Sequence, residues 1–180
     1  LKKWHTKYPG FQHVTVNVNV SGRQFAQPNF VAELVEALQR NNLKPESLKL
    51  EVTEGVLIGN YSAANKVFTQ LRELGIQLQI DNFGSGYSSL GYLQRFPISA
   101  VKIDKSFING MGKGRKGNEL IRAIVSLTRE LDVEATAEGI ETSEQLDELK
   151  GLLCNFGQGF LLSKPLDKES AEKVLAEQEG

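Results

Sequence analysis

An acid, an amide and a pair of glycines stand together in the stretch at 79–93, which reads QIDNFGSGYSSLGYL. Asp81 ends an alternating run that is typical of a strand, and Asn82 stands where a second acid would complete a pair of metal ligands. Asp, Asn and Gly also favour turns, so this stretch alone predicts a turn or a helix cap more readily than a catalytic pair. Glycines and serines at 84–89 allow either a phosphate-cradling loop or a tight turn with an N-cap.

Five segments of the chain alternate between apolar and polar residues with a period of two, which predicts strands at 14–21, 48–53, 76–81, 101–104 and 133–138. A weaker sixth strand is predicted at 156–161. Helical patterns lie between the strands, with Gly75 as a stop and a capping box from Thr142 to Gln145. Strands joined by helices in this way predict parallel βαβ units and hence an α/β fold with about six parallel strands.

Near the C-terminal end of each of the first five predicted strands stands a polar residue able to do chemistry: Asn19, Glu51, Asp81, Lys102 with Asp104, and Glu138. An ordinary strand with one wet face would also alternate. In a parallel sheet, however, helices cover the apolar outer face, and the polar residues must point inward, where an unpaired charge costs several kcal/mol. We therefore expect a polar pocket for a charged ligand at the catalytic end of a barrel.

The residue types at this predicted pocket favour chemistry on phosphate. Carboxylate and amide oxygens suit Mg²⁺ or Mn²⁺, and Lys102 adds a cation for an anionic oxygen. A snorkelling or ion-paired lysine is the alternative interpretation of Lys102. Hydrolysis of a phosphate ester is the candidate reaction, and a metal-dependent aldolase on the same barrel is a more distant one.

Composition restricts the function classes further. The 180 residues are 40% hydrophobic, which predicts one domain spanning 1–180. The formal net charge of −1 has no long run of one sign, so we expect neither DNA binding nor a membrane surface as a partner. Cys154 is the only cysteine and no apolar segment is long enough to insert in a membrane, which favours the cytoplasm, either alone or as the cytosolic part of a larger signalling protein.

Six motifs in this order resemble those of the EAL domains, the phosphodiesterases of the bacterial second messenger cyclic di-GMP. They are Val18-Asn-Val-Ser21, Glu51-Val-Thr-Glu54, Asp81-Asn-Phe-Gly through Leu90, Lys102-Ile-Asp104, Ala137-Glu-Gly-Ile-Glu141 and Gln158-Gly159. The match covers nearly the whole chain. The resemblance implies hydrolysis of cyclic di-GMP to linear pGpG, in which Mg²⁺ or Mn²⁺ ions activate a water for in-line attack.

The resemblance also implies roles for individual residues. Asn19, Glu51 and Asp81 would be metal ligands, with Asp81 bridging to a second metal beside Asn82. Lys102 would hold the attacking water, and Glu138 would act as second-metal ligand or general base. Four further residues would support the substrate or the loops: Glu54, which braces the loop that begins at Asp81, and Asp104, Glu141 and Gln158. By contrast, we expect changes at Asn17 to matter less than changes at the ligands.

Two departures from the family pattern leave two function classes open. No segment before Asn19 corresponds to the Glu-Ala-Leu strand. The resemblance therefore implies an N-terminally truncated domain, an incomplete TIM-like (β/α) barrel of about six parallel strands. Its open sheet edges favour a homodimer or other strand-edge association. Asn82 replaces the second acid of Asp-Asp-Phe-Gly, and an amide brings no charge to a metal. The chain is therefore either a phosphodiesterase domain or a degenerate EAL domain that binds cyclic di-GMP or a protein without turnover.

Overall fold

Six parallel strands form one curved sheet in the computed structural model, which describes residues 1–59, 61–84, 90–112 and 115–178. Each strand pairs in parallel with the next along the chain. The strands are β1 (Val16–Asn19), β2 (Leu48–Thr53), β3 (Gln77–Phe83), β4 (Ala100–Ile103), β5 (Glu134–Glu138) and β6 (Phe156–Gln158). Within the described residues β1 and β6 do not pair with each other, so the predicted incomplete α/β barrel is confirmed.

Helices connect the strands, and their ends follow the sequence signals. They are α1 (Lys2–Lys7), α2 (Gly22–Phe25), α3 (Phe30–Arg40), α4 (Glu54–Gly59), α5 (Tyr61–Glu73), α6 (Leu90–Arg95), α7 (Lys105–Ile108), α8 (Arg115–Glu130), α9 (Ser143–Gly151) and α10 (Lys168–Gln178). Short 3-10 turns lie at Pro9–Phe11 and Pro45–Ser47. Thr142 and Gln145 form the predicted capping box at α9, and Gly75 follows α5 with a φ of +84°.

The hydrophobic core lies between the outer face of the sheet and the helices. Leu50, Ile80 and Val101 of the central strands have no exposed surface, as do Leu71 of α5 and Ile121 of α8. This is the arrangement expected when every apolar position of the alternation points outward. The polar positions of the same strands therefore line the concave inner face.

At β1 the predicted helical cover is incomplete. Val18 is 40% exposed, although its place in the alternation predicts a covered side chain. β1 pairs only with β2 in the described part of the chain, which makes it an edge strand. The prediction of a fully covered outer face is wrong at this position.

The sixth strand is shorter than the predicted 156–161, because the chain turns at Gly159. A Cβ at Gly159 would lie 2.2 Å from both the backbone N and O atoms of Ile140, so only glycine fits. After the turn, the Leu161 amide donates to the Ile140 carbonyl at 3.0 Å. This turn holds the end of β6 against the end of β5.

We expect the 180-residue chain to associate with copies of itself in solution. Among the described residues β1 and β6 each have one paired neighbour. Phe156 of β6 and Phe160 just after it are 52% and 64% exposed. Exposed edges and apolar side chains favour pairing with another chain. Static light scattering should show a mass that rises with concentration, whereas a monomer mass at every concentration would contradict this expectation.

Candidate functional site

Lys102 of β4 lies at the centre of three carboxylates on the concave face. Its Nζ is 3.1 Å from Glu51 Oε2, 3.3 Å from Asp81 Oδ1 and 2.6 Å from Glu138 Oε1. These acids belong to β2, β3 and β5, so the curvature of the sheet brings four strands together at their C-terminal ends. The arrangement places one positive charge among three negative ones, and Glu51 itself is buried.

The surroundings of Lys102 fix its charge. Burial lowers the pKa of its ammonium group, but the hydrogen bonds to Glu138 and Glu51 raise it by more, so that the pKa lies above its usual value. The pairing therefore stabilises the fold fully below the unfolded pKa of about 10.4 and is lost only as the pH rises through the folded pKa. Lys102 is a cation near neutral pH and is suited to holding an anionic oxygen, not to accepting a proton.

Asp81 and Asn82 lie at an irregularity in β3. The pairing with β4 shifts between Ile80 and Phe83, and Asn82 has a φ of +55°, a conformation that Asn tolerates better than most residues. The Asn82 amide donates to Asp81 Oδ2 at 3.1 Å. Asp81 Oδ1 is buried without a hydrogen-bond partner, and Lys102 provides its ion pair.

Glu54, at the start of α4, contacts the segment that follows β3. Its Oε1 accepts a hydrogen bond from the Gly84 amide at 3.0 Å. Gly84 has a φ of +93°, and a Cβ there would lie 2.6 Å from the Phe107 ring. Glu54 thus holds the backbone where the chain leaves β3. The predicted phosphate-cradling loop continues through 85–89, which lie outside the described residues.

The remaining predicted site residues lie at different places along the same edge of the sheet. Gln158 Nε2 donates to Glu138 Oε1 at 2.6 Å. Asn19 is exposed and pairs in register with Glu51, which puts the two on the same face. Asp104 accepts from the Ser106 amide at 2.8 Å and caps α7, while Glu141 is exposed just before α9.

A second group of polar residues on the concave face was not assigned a role from the sequence. Asn17, Gln79 and Thr136 form hydrogen bonds with one another or with Glu51. Lys49 lies 3.6 Å from Glu134 across the face, nearer the N-terminal ends of the strands. The period-two alternation was the available signal, since all five occupy its polar positions.

The oxygen atoms at this site are of the types that bind a hard divalent cation. Asn19, Glu51 and Asp81 offer amide and carboxylate oxygens from neighbouring strands, and the buried Asp81 Oδ1 lacks a hydrogen-bond donor. In the described part of the chain, no three Asp, Glu, His or Cys side chains are grouped closely enough to hold a metal as they stand. Lys102 pairs with these acids instead, so the fit rests on the donor types and on Asp81 Oδ1, which has no hydrogen-bond partner.

Comparison with known proteins identifies the family. The family model described as EAL domain matches residues 1–165. The chain therefore belongs to the EAL domain family, as the sequence motifs predicted.

Individual relatives agree with this assignment. The bifunctional diguanylate cyclase/cyclic di-GMP phosphodiesterase MucR of Pseudomonas aeruginosa is 42% identical over 161 residues, which are 89% of this chain and 23% of MucR. The signaling protein YkoW of Bacillus subtilis is 38% identical over 97% of this chain and 22% of YkoW. The chain thus spans less than a quarter of the length of these two curated relatives.

A solved structure of the MucR phosphodiesterase in complex with cyclic di-GMP superimposes with a TM-score of 0.88 at 39% identity, covering 94% of this chain and 68% of that one. A manganese and cyclic di-GMP complex of BlrP1 from Klebsiella pneumoniae gives a TM-score of 0.79 at 28% identity, covering 89% of this chain and 41% of that one. In the described residues, no helix is both long and apolar enough to cross a membrane.

Proposed function

We propose that this chain carries the hydrolytic site of a metal-dependent phosphodiesterase that opens cyclic di-GMP to linear pGpG. The observation that carries the proposal is the convergence of Glu51, Asp81 and Glu138 on Lys102 at the C-terminal ends of their strands. The likeness to MucR, which has been solved with cyclic di-GMP, supports this choice of substrate. The proposal covers the whole of 1–180 as one EAL-type domain in the cytoplasm.

The acids and amides on β1 to β3 are assigned to the cation. Asn19, Glu51 and Asp81 hold Mg²⁺ or Mn²⁺, and Asn82 offers a further carbonyl oxygen for a second ion. A bound divalent cation supplies Lewis-acid stabilisation of the negative charge on the phosphodiester. The manganese complex of BlrP1 supports the choice of metal.

Lys102 and Glu138 are assigned to the reacting atoms. Lys102 remains protonated and donates N–H groups to the attacking water or to a phosphate oxygen. Glu138 takes the proton of that water, since its carboxylate lies beside Lys102 and is held in place by Gln158, which donates to the same oxygen, Oε1. Glu54 supports the substrate by fixing the backbone at Gly84, and Asp104 supports it by capping α7. Glu141 is assigned to the support of the substrate or the loops only because of its place in the motif at 137–141.

A second candidate function is favoured by Asn82. Its amide donates to Asp81 Oδ2, which occupies an oxygen of a proposed ligand, and it brings no negative charge. Weaker metal binding would leave a module that binds cyclic di-GMP or a protein without turnover. A homodimer through the sheet edges is part of either proposal, and DNA is a partner in neither.

Asn82→Asp distinguishes the two candidates. In the full-length natural protein with Mn²⁺, the variant should release linear dinucleotide about tenfold faster, because a tenfold change needs about 1.4 kcal/mol and one added charge can supply that to a metal site. Aspartate also tolerates the positive φ at this position. Chromatography of the reaction products measures the rate.

The unchanged protein is the control for this experiment. Equal and measurable turnover by both forms would show that the amide is an adequate ligand and would exclude the binding module. Binding of cyclic di-GMP without turnover by either form would contradict the hydrolytic proposal and favour the second candidate.

A further inference from the structure

A chain of side-chain hydrogen bonds crosses the concave face beneath the carboxylate cluster. Thr136 Oγ1 on β5 accepts from Gln79 Nε2 on β3 at 3.4 Å. Gln79 Oε1 accepts from Asn17 Nδ2 on β1 at 3.3 Å, and Asn17 Nδ2 also donates to Glu51 Oε1 on β2 at 2.8 Å. Three side chains on three strands are thereby connected to one oxygen of Glu51 on a fourth strand.

In this series of hydrogen bonds each amide has a fixed orientation. A carboxylate only accepts, so Asn17 must present its NH₂ group to Glu51. The second hydrogen of that group goes to Gln79 Oε1, which leaves Gln79 only its own NH₂ group for Thr136. Rotation of the Asn17 amide by half a turn would place its oxygen against the acceptor oxygens of Glu51 and Gln79, and rotation of the Gln79 amide would place two NH₂ groups against each other. The orientation of each amide therefore fixes that of the next.

The difference in burial shows which residue holds the series of hydrogen bonds in place. Gln79 is 3% exposed, whereas Asn17 lies exposed on the edge strand β1. A buried amide without partners is strongly disfavoured, so Gln79 keeps its two hydrogen bonds and holds Asn17 in place. Glu51 is then held at both oxygens, with Oε1 on Asn17 and Oε2 on Lys102.

We infer that Asn17 and Gln79 are positioning residues that orient Glu51 as a ligand of the divalent cation. The inference rests on the proposed function, because it needs Glu51 to bind the metal. Asn17 and Gln79 act through Glu51 and contact neither the metal nor the substrate. Partners of this kind, one hydrogen bond away from a ligand, typically change metal affinity by about 10–100-fold.

Calorimetric titration of the 180-residue chain with Mn²⁺ tests the inference. Gln79→Met and Asn17→Leu keep the side-chain size and remove the hydrogen bonds, and each should raise the Kd for Mn²⁺ about tenfold. The double variant should also raise it about tenfold, because both changes break the same chain. Gln77→Met is the matched control, since Gln77 lies on the same strand and face but its Oε1 has no hydrogen-bond partner. Its Kd should stay within about twofold of the parent.

The melting temperature without metal separates positioning from folding. An altered Kd at an unaltered melting temperature supports the inference. Parent-like Kd values for both folded single variants would overturn it while leaving the proposed function intact, and a hundredfold rise in the double variant would show two independent effects instead of one chain. If Gln79→Met fails to fold, the Kd of Asn17→Leu for Mn²⁺ still tests the inference, because Asn17 lies on the exposed edge strand. A parent that binds no Mn²⁺ overturns the proposed function and this inference together.

Discussion

Replacement of Lys102 by methionine should lower the free energy of unfolding by about 3–5 kcal/mol at pH 7, the usual cost of removing one partner of a buried ion pair. The lysine lies between Glu51, Asp81 and Glu138, and its side chain is only 9% exposed. Without it, three carboxylates face each other with no cation between them. Urea unfolding followed by circular dichroism measures the loss.

The metal dependence of this loss identifies its cause. If the proposed metal site is right, Mn²⁺ should stabilise the variant more than the parent, because the metal replaces the missing charge and binds only the folded state. A loss that is independent of Mn²⁺ would indicate a packing defect instead.

Lys49→Met is the matched control for Lys102→Met. Lys49 lies on the same concave face and pairs with Glu134 at 3.6 Å, but the Glu134 side chain is 44% exposed. A partly exposed pair of this kind contributes about 1 kcal/mol or less. A loss as large as that of Lys102→Met would show that any lysine on this face has the same effect.

Glu51→Gln should weaken Mn²⁺ binding about a hundredfold and reduce hydrolysis of cyclic di-GMP by at least that factor. In the proposed site Glu51 provides formal charge to the cation, and the affinity of an oxygen-ligand site follows the number of charged ligands. A hundredfold change corresponds to about 2.7 kcal/mol. Asp81→Asn should behave in the same way, and calorimetry with Mn²⁺ measures both.

Glu134→Gln is the control for these two variants. Glu134 points to the same concave face but lies at the first position of β5, away from the proposed ligands. Its removal should change the Mn²⁺ affinity by no more than about twofold. If Glu51→Gln and Asp81→Asn bind Mn²⁺ as tightly as the parent, the assignment of the ligands is wrong.

Much of the fold follows from local pattern. The alternation in each strand determines which side chains face inward, and parallel pairing brings the C-terminal ends of neighbouring strands to one edge. The meeting of Glu51, Asp81, Lys102 and Glu138 was predictable on these grounds alone. The capping box at α9 and the stop at Gly75 were local signals of the same kind.

Contacts that depend on sheet curvature were not predictable. The bond between Asn17 and Gln79 skips the intervening strand β2, and the contact from Gln79 to Thr136 skips β4. Their distances follow from the bend of the sheet and from the register, which alternation does not determine. The predicted strand at 156–161 was too long for a similar reason. β6 ends at Gln158, because Gly159 approaches Ile140 closely, and this is a tertiary contact.

Anomalous diffraction from crystals soaked with Mn²⁺ would locate the metal without an activity assay. We expect a peak within bonding distance of Glu51 and Asp81 carboxylate oxygens, on the Asn19 side of Lys102, and loss of that peak in Glu51→Gln crystals. A peak elsewhere on the molecule, or none at a Mn²⁺ concentration that supports turnover, would contradict this expectation.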